Sequence, residues 1–140
     1  MVETYIKTGT VQFVYVPYIS LRDGSDLAAR ASLCALEQGS FWELHDALFE
    51  RLAPNRFTET GVINEAVALG LDEFAFTACL YSDSVQARLN AAAEFINIQR
   101  DANAFSGTPT LIVDGQNPFR PGFVPSWSEI QQAIDQAAAD

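Results

Sequence analysis

The chain has 140 residues, of which 49% are hydrophobic, and it carries a net charge of −10. A chain of this length suits one domain with its own core, and no apolar run reaches the ~18–20 residues that a membrane-spanning helix needs. The acidic excess without a basic cluster excludes nucleic acid as a partner, and Met1 to Lys7 lacks the basic and apolar regions of a signal peptide.

The N-terminal part predicts a helix end followed by a strand. Glu3 to Lys7 is typical of the last turn of a helix, and Gly9 suits the left-handed position that follows such a turn. The β-branched and aromatic residues from Val11 to Val16 predict a strand, which ends at Pro17 because proline donates no ladder hydrogen bond.

Residues 23–103 have a predominantly helical pattern. Apolar residues recur at spacings of three and four, and Ser, Asp and Gly mark where helices start and end. The predicted helices run from Asp26 to Glu37, onwards from Ser40, from Gly61 to Leu69, from the cap Asp72 to Leu80, and from the cap Ser84 toward Arg100.

The C-terminal part returns to strands and ends in a helix. A loop from Gly107 to Thr110 leads into the apolar strand Leu111 to Val113, and Asp114–Gly115 predicts a hairpin turn after it. The closing helix is capped by Ser126 or Ser128.

Thr108 and Pro109 form the candidate substrate-binding loop. The X-Pro bond is the one peptide bond that adopts cis at modest cost, and proline removes a backbone donor, so this loop can present its backbone to a bound peptide. The same residues also fit an ordinary entry into a strand, and spacing alone does not separate the two interpretations.

The two cysteines, Cys34 and Cys79, are too far apart for a Cys-x-x-Cys motif, and nothing in their predicted helices activates a thiolate. Three interpretations stay open: a structural disulfide between two helices, two unpaired core cysteines, or a redox or metal pair. A disulfide would indicate an oxidising compartment. His45, the single histidine, has no second ligand at metal-site spacing, so we expect a structural role and no bound metal.

Three segments resemble the DsbA-like thiol-disulfide oxidoreductases, a branch of the thioredoxin fold: Leu33 to Glu50, Leu71 to Leu80, and Gly107 to Gly115. They occur in the family's order, and the likeness extends from Tyr5 to the C-terminus. It implies one α/β, thioredoxin-like domain over residues 1–140, in which an all-helical insertion (23–103) interrupts the thioredoxin-like part (1–22 and 104–140). It also implies that Pro109 is cis and faces the active-site cysteines.

The family's Cys-x-x-Cys lies at the N-terminus of the helix after the first core strand, where the helix dipole lowers the pKa of the nucleophile. No Cys-x-x-Cys occurs in this sequence, and only the last turn of that helix matches, before Gly9. The resemblance therefore implies a catalytically incomplete chain, with no catalytic residue and no cofactor, whose strand and redox pair lie upstream of Met1. Whether this N-terminus is natural or truncated stays open.

In the family's sheet, the absent strand lies between the strands that match Val11 to Val16 and Leu111 to Val113. Two strand edges would then carry unpaired backbone groups. We expect one of three outcomes: direct pairing of the flanking strands, a strand donated by another chain, which would give a homo-oligomer through the open sheet edge, or an exposed apolar groove.

Two functions of different class follow from these residues. The first is thiol-disulfide exchange, with cysteine-containing polypeptides as the implied substrates and with Thr108 and Pro109 positioning them. The second is a non-catalytic peptide-binding or protein-interaction module that uses the same loop and an open sheet edge. A third hypothesis is an isomerase of this fold with Ser in place of Cys. The resemblance suggests an extracytoplasmic or cell-envelope location.

Overall fold

The structure is a computed structural model that describes residues 1–19, 24–51, 57–105, 107–119 and 123–139. The chain divides into two compact units, one of residues 17–94 and one of residues 1–16 with 95–140. We call them the helical unit and the terminal unit. The predicted boundary between residues 22 and 23 lies outside the described residues, and the interpretation of the helical unit as an insertion stays a prediction.

Six α-helices occupy most of the described residues: α1 (Ser25–Glu37), α2 (Phe41–Arg51), α3 (Glu59–Ala68), α4 (Glu73–Leu80), α5 (Asp83–Asp101) and α6 (Trp127–Ala137). A short π-helix, Val2–Ile6, precedes them. The predicted helices are therefore all present, with small shifts at their ends. In the described part of the chain, no helix is both long and apolar enough to cross a membrane.

Side-chain caps fix the starts of α4 and α5. Asp72 caps α4 as predicted, because its Oδ1 accepts a hydrogen bond from the Ala75 amide at 2.7 Å. The prediction of Ser84 as the cap of α5 is wrong, since Ser84 lies inside the helix. The hydroxyl of Ser82 accepts from the Val85 amide at 3.3 Å and takes that role. Sequence alone does not choose between two serines so close together.

The core of the helical unit forms where α1 packs against α2, α3 and α4. Its members come from the apolar stripes that the three- and four-residue spacing predicts. The largest of the fully buried side chains are Phe76, Leu44, Leu80, Val62, Val85 and Cys34. Each fully buried large apolar side chain stabilises the fold by about 1.5–3 kcal/mol relative to exposure.

Two connections join the C-terminal end of α1 to α4 and to Asp72, the residue that caps α4. Cys34 and Cys79 form a disulfide with a Cα–Cα distance of 5.7 Å. Of the three interpretations, the structure therefore contains the disulfide between two helices. Beyond it, the Asp72 amide donates to Gln38 Oε1 at 2.8 Å, and Gln38 Nε2 donates to the Asp72 carbonyl at 3.3 Å. The helical unit therefore has both a covalent and a hydrogen-bonded connection at this point.

The predicted strands are missing from the described residues. Residues 11–19 are neither helix nor strand, and one isolated antiparallel bridge joins Val113 and Gln116. The prediction of a strand from Val11 to Val16 is therefore wrong for this chain alone. A strand needs neighbours to satisfy its backbone, and too few paired strands do not form a stable sheet. Direct pairing of the two flanking strands does not occur in the described part.

The terminal unit is held by contacts between its N-terminal residues and α6. The Tyr5 hydroxyl donates to Asp135 Oδ1 at 2.8 Å, and its ring lies edge-on to Trp127 with centroids 6.1 Å apart. The hydrogen bond to Asp135 raises the pKa of Tyr5. Ser126, one of the two predicted caps, forms a capping box with Glu129 and starts α6.

Candidate functional site

The segment before the candidate loop is fixed to the end of α5. Asn103 has a left-handed φ of 58°, and the Ala104 amide donates to the Gln99 carbonyl at 2.8 Å, which closes the helix end. The Arg100 guanidinium lies 5.6 Å from the centroid of the Phe105 ring. The chain thus reaches the loop from an ordered helix terminus.

The candidate loop consists of residues 107–110. Gly107 has a φ of 151°, in the region that favours glycine, and the Thr108–Pro109 peptide bond is cis. Thr108 and Pro109 are exposed. The Thr110 hydroxyl donates to the Gly107 carbonyl at 2.5 Å, so the loop closes on itself while its two central residues remain at the surface.

A tight turn follows the loop at Asp114–Gly115. Both residues have positive φ, 47° and 74°, which is the signature of a type I′ turn. Val113 and Gln116 exchange two backbone hydrogen bonds, at 2.8 and 3.0 Å. The predicted turn is therefore present, although the strands on either side extend no further than this bridge.

Asn117 connects the two sides of the loop. Its Nδ2 donates to the Ala104 carbonyl at 2.7 Å, and its Oδ1 accepts from the Phe119 amide at 3.2 Å. The residue before the loop and the residue after the turn are thus joined by one side chain. Sequence reasoning assigned no role to Asn117 or to the Thr110 hydroxyl, because neither belongs to a pattern that predicts such contacts.

The cysteines belong to the helical unit and supply no reactive thiol. Cys34 is fully buried, Cys79 is buried, and the two are bonded to each other. Since the sequence contains only two cysteines, this chain has no thiolate with which to attack a disulfide.

His45 lies on α2 among aromatic rings. Its Nδ1 is 3.0 Å from Asp46 Oδ1, and its ring centroid is 6.0 Å from that of Phe41, 5.4 Å from Trp42 and 4.9 Å from Phe49. This environment agrees with the expected structural role. No group of three or more potential metal ligands occurs among the residues that the structure describes.

A polar cleft in the helical unit is occupied by internal ion pairs and hydrogen bonds. Arg30 Nε donates to Asp26 Oδ2 at 2.8 Å, and Arg30 Nη1 donates to the Leu80 carbonyl at 3.3 Å. The Tyr81 hydroxyl donates to Glu59 Oε2 at 2.6 Å, which raises the pKa of Tyr81. These groups pair with one another and present no reactive combination.

Comparison with known proteins identifies the fold family. The family model described as Thioredoxin matches residues 1–136, which include the loop and the turn. The chain belongs to the thioredoxin family. It is also similar to a thioredoxin-like oxidoreductase of Silicibacter pomeroyi DSS-3, with 32% identity and a TM-score of 0.73. The match covers 91% of this chain and 68% of that chain. The predicted kinship with the thioredoxin-fold DsbA-like proteins is confirmed.

A curated relative is much longer than this chain. The Na(+)/H(+) antiporter NhaA 3 of Salinispora tropica is 28% identical over 122 residues, which are 85% of this chain. The chain spans 18% of the length of that antiporter. The similarity therefore concerns a part of the antiporter, and ion transport is not assigned to this chain from it.

Proposed function

We propose that this chain is the substrate-receiving part of a DsbA-like thiol-disulfide oxidoreductase, and that its redox cysteines come from residues outside these 140. The exposed Thr108–Pro109 loop, in a chain that matches the Thioredoxin family over residues 1–136, is the observation that carries this proposal. The implied substrates are extended, cysteine-containing polypeptides.

The loop's part in this chemistry is binding. In thiol-disulfide exchange, a thiolate attacks one sulfur of a substrate disulfide, and the other sulfur leaves as a thiolate. Cys34 and Cys79 are bonded inside the helical unit, so they do not supply that thiolate. Thr108 offers an N–H and a carbonyl to an extended peptide, whereas Pro109 offers only a carbonyl.

The second candidate is a peptide-binding module without redox chemistry. The absence of Cys-x-x-Cys from the sequence favours it. Both candidates predict that the chain alone binds extended peptides and does not catalyse reduction, so binding alone does not separate them.

A fusion experiment separates the two functions. A strand–Cys-x-x-Cys–helix segment from a thioredoxin-family oxidoreductase is joined ahead of Met1, and reduction of insulin by dithiothreitol is followed. The expected result is a rate above that with dithiothreitol alone, lost when the first grafted Cys is changed to Ser. A fused chain that keeps its helical circular dichroism and binds peptide without turnover would support the binding module.

Thr110 provides a second test on the unmodified chain. Because its hydroxyl holds the Gly107 carbonyl, Thr110→Val is expected to weaken binding of a fluorescein-labelled extended peptide several-fold, while Thr110→Ser keeps it. Fluorescence anisotropy measures both. Equal affinity of the three chains, or no binding by the native chain, would contradict the proposal that this loop binds extended peptides.

A further inference from the structure

Asn117 is a partly buried residue whose side-chain amide is used at both of its ends. Its Nδ2 donates to the Ala104 carbonyl at 2.7 Å, and its Oδ1 accepts from the Phe119 amide at 3.2 Å. These two contacts need a donor and an acceptor on one short side chain, which asparagine supplies. An ionised aspartate of the same shape supplies acceptors alone, and alanine supplies neither.

The two residues that Asn117 connects to the loop are themselves fixed by backbone hydrogen bonds. The Ala104 amide donates to the Gln99 carbonyl at 2.8 Å, so Ala104 is bonded through both its N–H and its carbonyl. Asn117 directly follows Gln116, whose N–H and carbonyl are both bonded to Val113. The bond from Asn117 thus joins the ordered end of α5 to the ordered turn.

This bond spans the candidate loop. Ala104 and Asn117 are 13 positions apart, and the exposed residues Thr108 and Pro109 lie between them. The bond from the Thr110 hydroxyl closes the loop onto itself, whereas the bond from Asn117 holds the two ends of the segment together. A connection across a segment of this length removes conformations that the loop would otherwise have to give up when it binds.

We propose that Asn117 is a positioning residue for peptide binding, because its hydrogen bond to Ala104 holds the Thr108–Pro109 loop in the conformation that receives an extended polypeptide. Asn117 acts through the loop and not by contact with the peptide. This inference rests on the proposed function, since it takes the loop as the place where the peptide binds. Loss of one hydrogen bond of this kind is expected to weaken peptide binding about fivefold.

Peptide binding by the unmodified chain tests the role of Asn117. The probe is an extended peptide with a carbamidomethylated Cys, labelled with rhodamine and followed by fluorescence anisotropy. Asn117→Ala is expected to bind it about fivefold more weakly than the native chain. Asn117→Asp at pH 7 keeps an acceptor for the Phe119 amide and lacks the donor for Ala104. A similar loss in this variant therefore assigns the effect to the bond that spans the loop.

Asn97→Ala is the matched control. Asn97 is also an exposed asparagine of the terminal unit, and its Oδ1 accepts from Arg100 Nη1 at 3.0 Å. That bond lies within α5 and does not cross the loop, so the affinity for the peptide is expected to stay at the native value. An equal loss in Asn97→Ala would contradict a specific role for Asn117.

A pair of disulfide substrates separates positioning of the loop from a general loss of structure. In the fused chain, Asn117→Ala is expected to slow the reduction of insulin about fivefold, because a polypeptide substrate uses the loop. The oxidation of the reduced fused chain by hydroxyethyl disulfide is expected to keep its rate, because this small substrate meets the grafted thiolate without the loop. An equal loss with both substrates would overturn the positioning role.

The positioning role and the proposed function fail separately. A native chain that binds no peptide would overturn the proposed function and, with it, this inference. A native chain that binds, together with Asn117→Ala and Asn117→Asp at native affinity, would overturn the role of Asn117 alone. A folded fused chain that is inactive on both disulfides would remove the oxidoreductase, and peptide binding by the unmodified chain would still decide the role of Asn117.

Discussion

The helical unit and the terminal unit differ in how the hydrogen-bonding groups of their backbones find partners. The buried apolar cluster of the helical unit is drawn entirely from residues 29–89, and a disulfide crosses it. In the terminal unit, residues 11–16 form no strand, and the two sides of the Asp114–Gly115 turn are joined by a single bridge. The same chain thus contains a unit with its own apolar core and a unit whose described residues form no sheet.

The reason for this difference lies in hydrogen bonding. A helix satisfies its amides and carbonyls within one segment, so its packing needs only an apolar face from its neighbours. A strand satisfies its amides and carbonyls only through a neighbouring strand, so the loss of one strand removes the ladder that the next would share with it. Sequence similarity over most of the chain is therefore compatible with complete helices and with missing strands.

Removing the disulfide is expected to cause the largest loss of stability, and the loss falls on the helical unit. Cys34→Ala together with Cys79→Ala opens a loop whose closure contributes about 4 kcal/mol in the chain-entropy model. Guanidinium unfolding followed by far-UV circular dichroism measures the loss. A change within about 0.5 kcal/mol, the range of neutral surface substitutions, would mean that the helical core does not depend on this bond.

A pair of phenylalanines on α4 tests the core itself. Phe76 is fully buried and Phe74 is 86% exposed. Phe76→Ala is expected to lower the free energy of unfolding by about 3 kcal/mol, because it removes buried area and leaves a cavity. Phe74→Ala, the matched control, should stay within about 0.5 kcal/mol. Equal losses at the two positions would contradict the assigned core.

The capping box of α6 gives a smaller effect in the terminal unit. Ser126→Ala is expected to cost about 1 kcal/mol, because the first turn loses its cap. Gln136→Ala is the control, since Gln136 is exposed in the last turn of α6, away from Ser126. Protection of α6 amides in hydrogen exchange reports the change locally, and equal protection in both variants would contradict the role of Ser126.

The same box predicts a dependence on pH. The hydrogen bonds from the Ser126 side chain and backbone lower the pKa of Glu129 below its ordinary value of 4.5. A carboxyl group with a lowered folded pKa contributes stability that is present above its unfolded pKa and is lost as pH falls through the folded value. We expect Ser126→Ala to reduce this acid-side loss, as measured by α6 protection below pH 4.5.

The parts of the fold that sequence predicts correctly depend on local signals. Asp72 caps α4, Ser126 with Glu129 starts α6, and Asp114–Gly115 forms its turn, and each involves residues within a few positions of one another. The choice between Ser82 and Ser84 is local as well. It depends, however, on which hydroxyl faces the first free amide, and composition does not determine that.

The rest depends on contacts between distant residues. The pairing of Cys34 with Cys79 stayed one of three interpretations, because it requires α1 and α4 to lie side by side. The Asn117 bond to Ala104 likewise requires the chain to fold back across the loop. Thr108 and Pro109 lie in an exposed loop, and their role in binding stays a prediction.

The bond between α1 and α4 makes the covalent chain a closed ring with two tails. A protease that cuts once between Cys34 and Cys79 opens the ring without releasing a fragment, so the nicked protein migrates as one species until a reductant is added. The residues before Cys34 and those after Cys79 lie outside this ring. A single cut there divides the protein into two covalently separate fragments without any reductant.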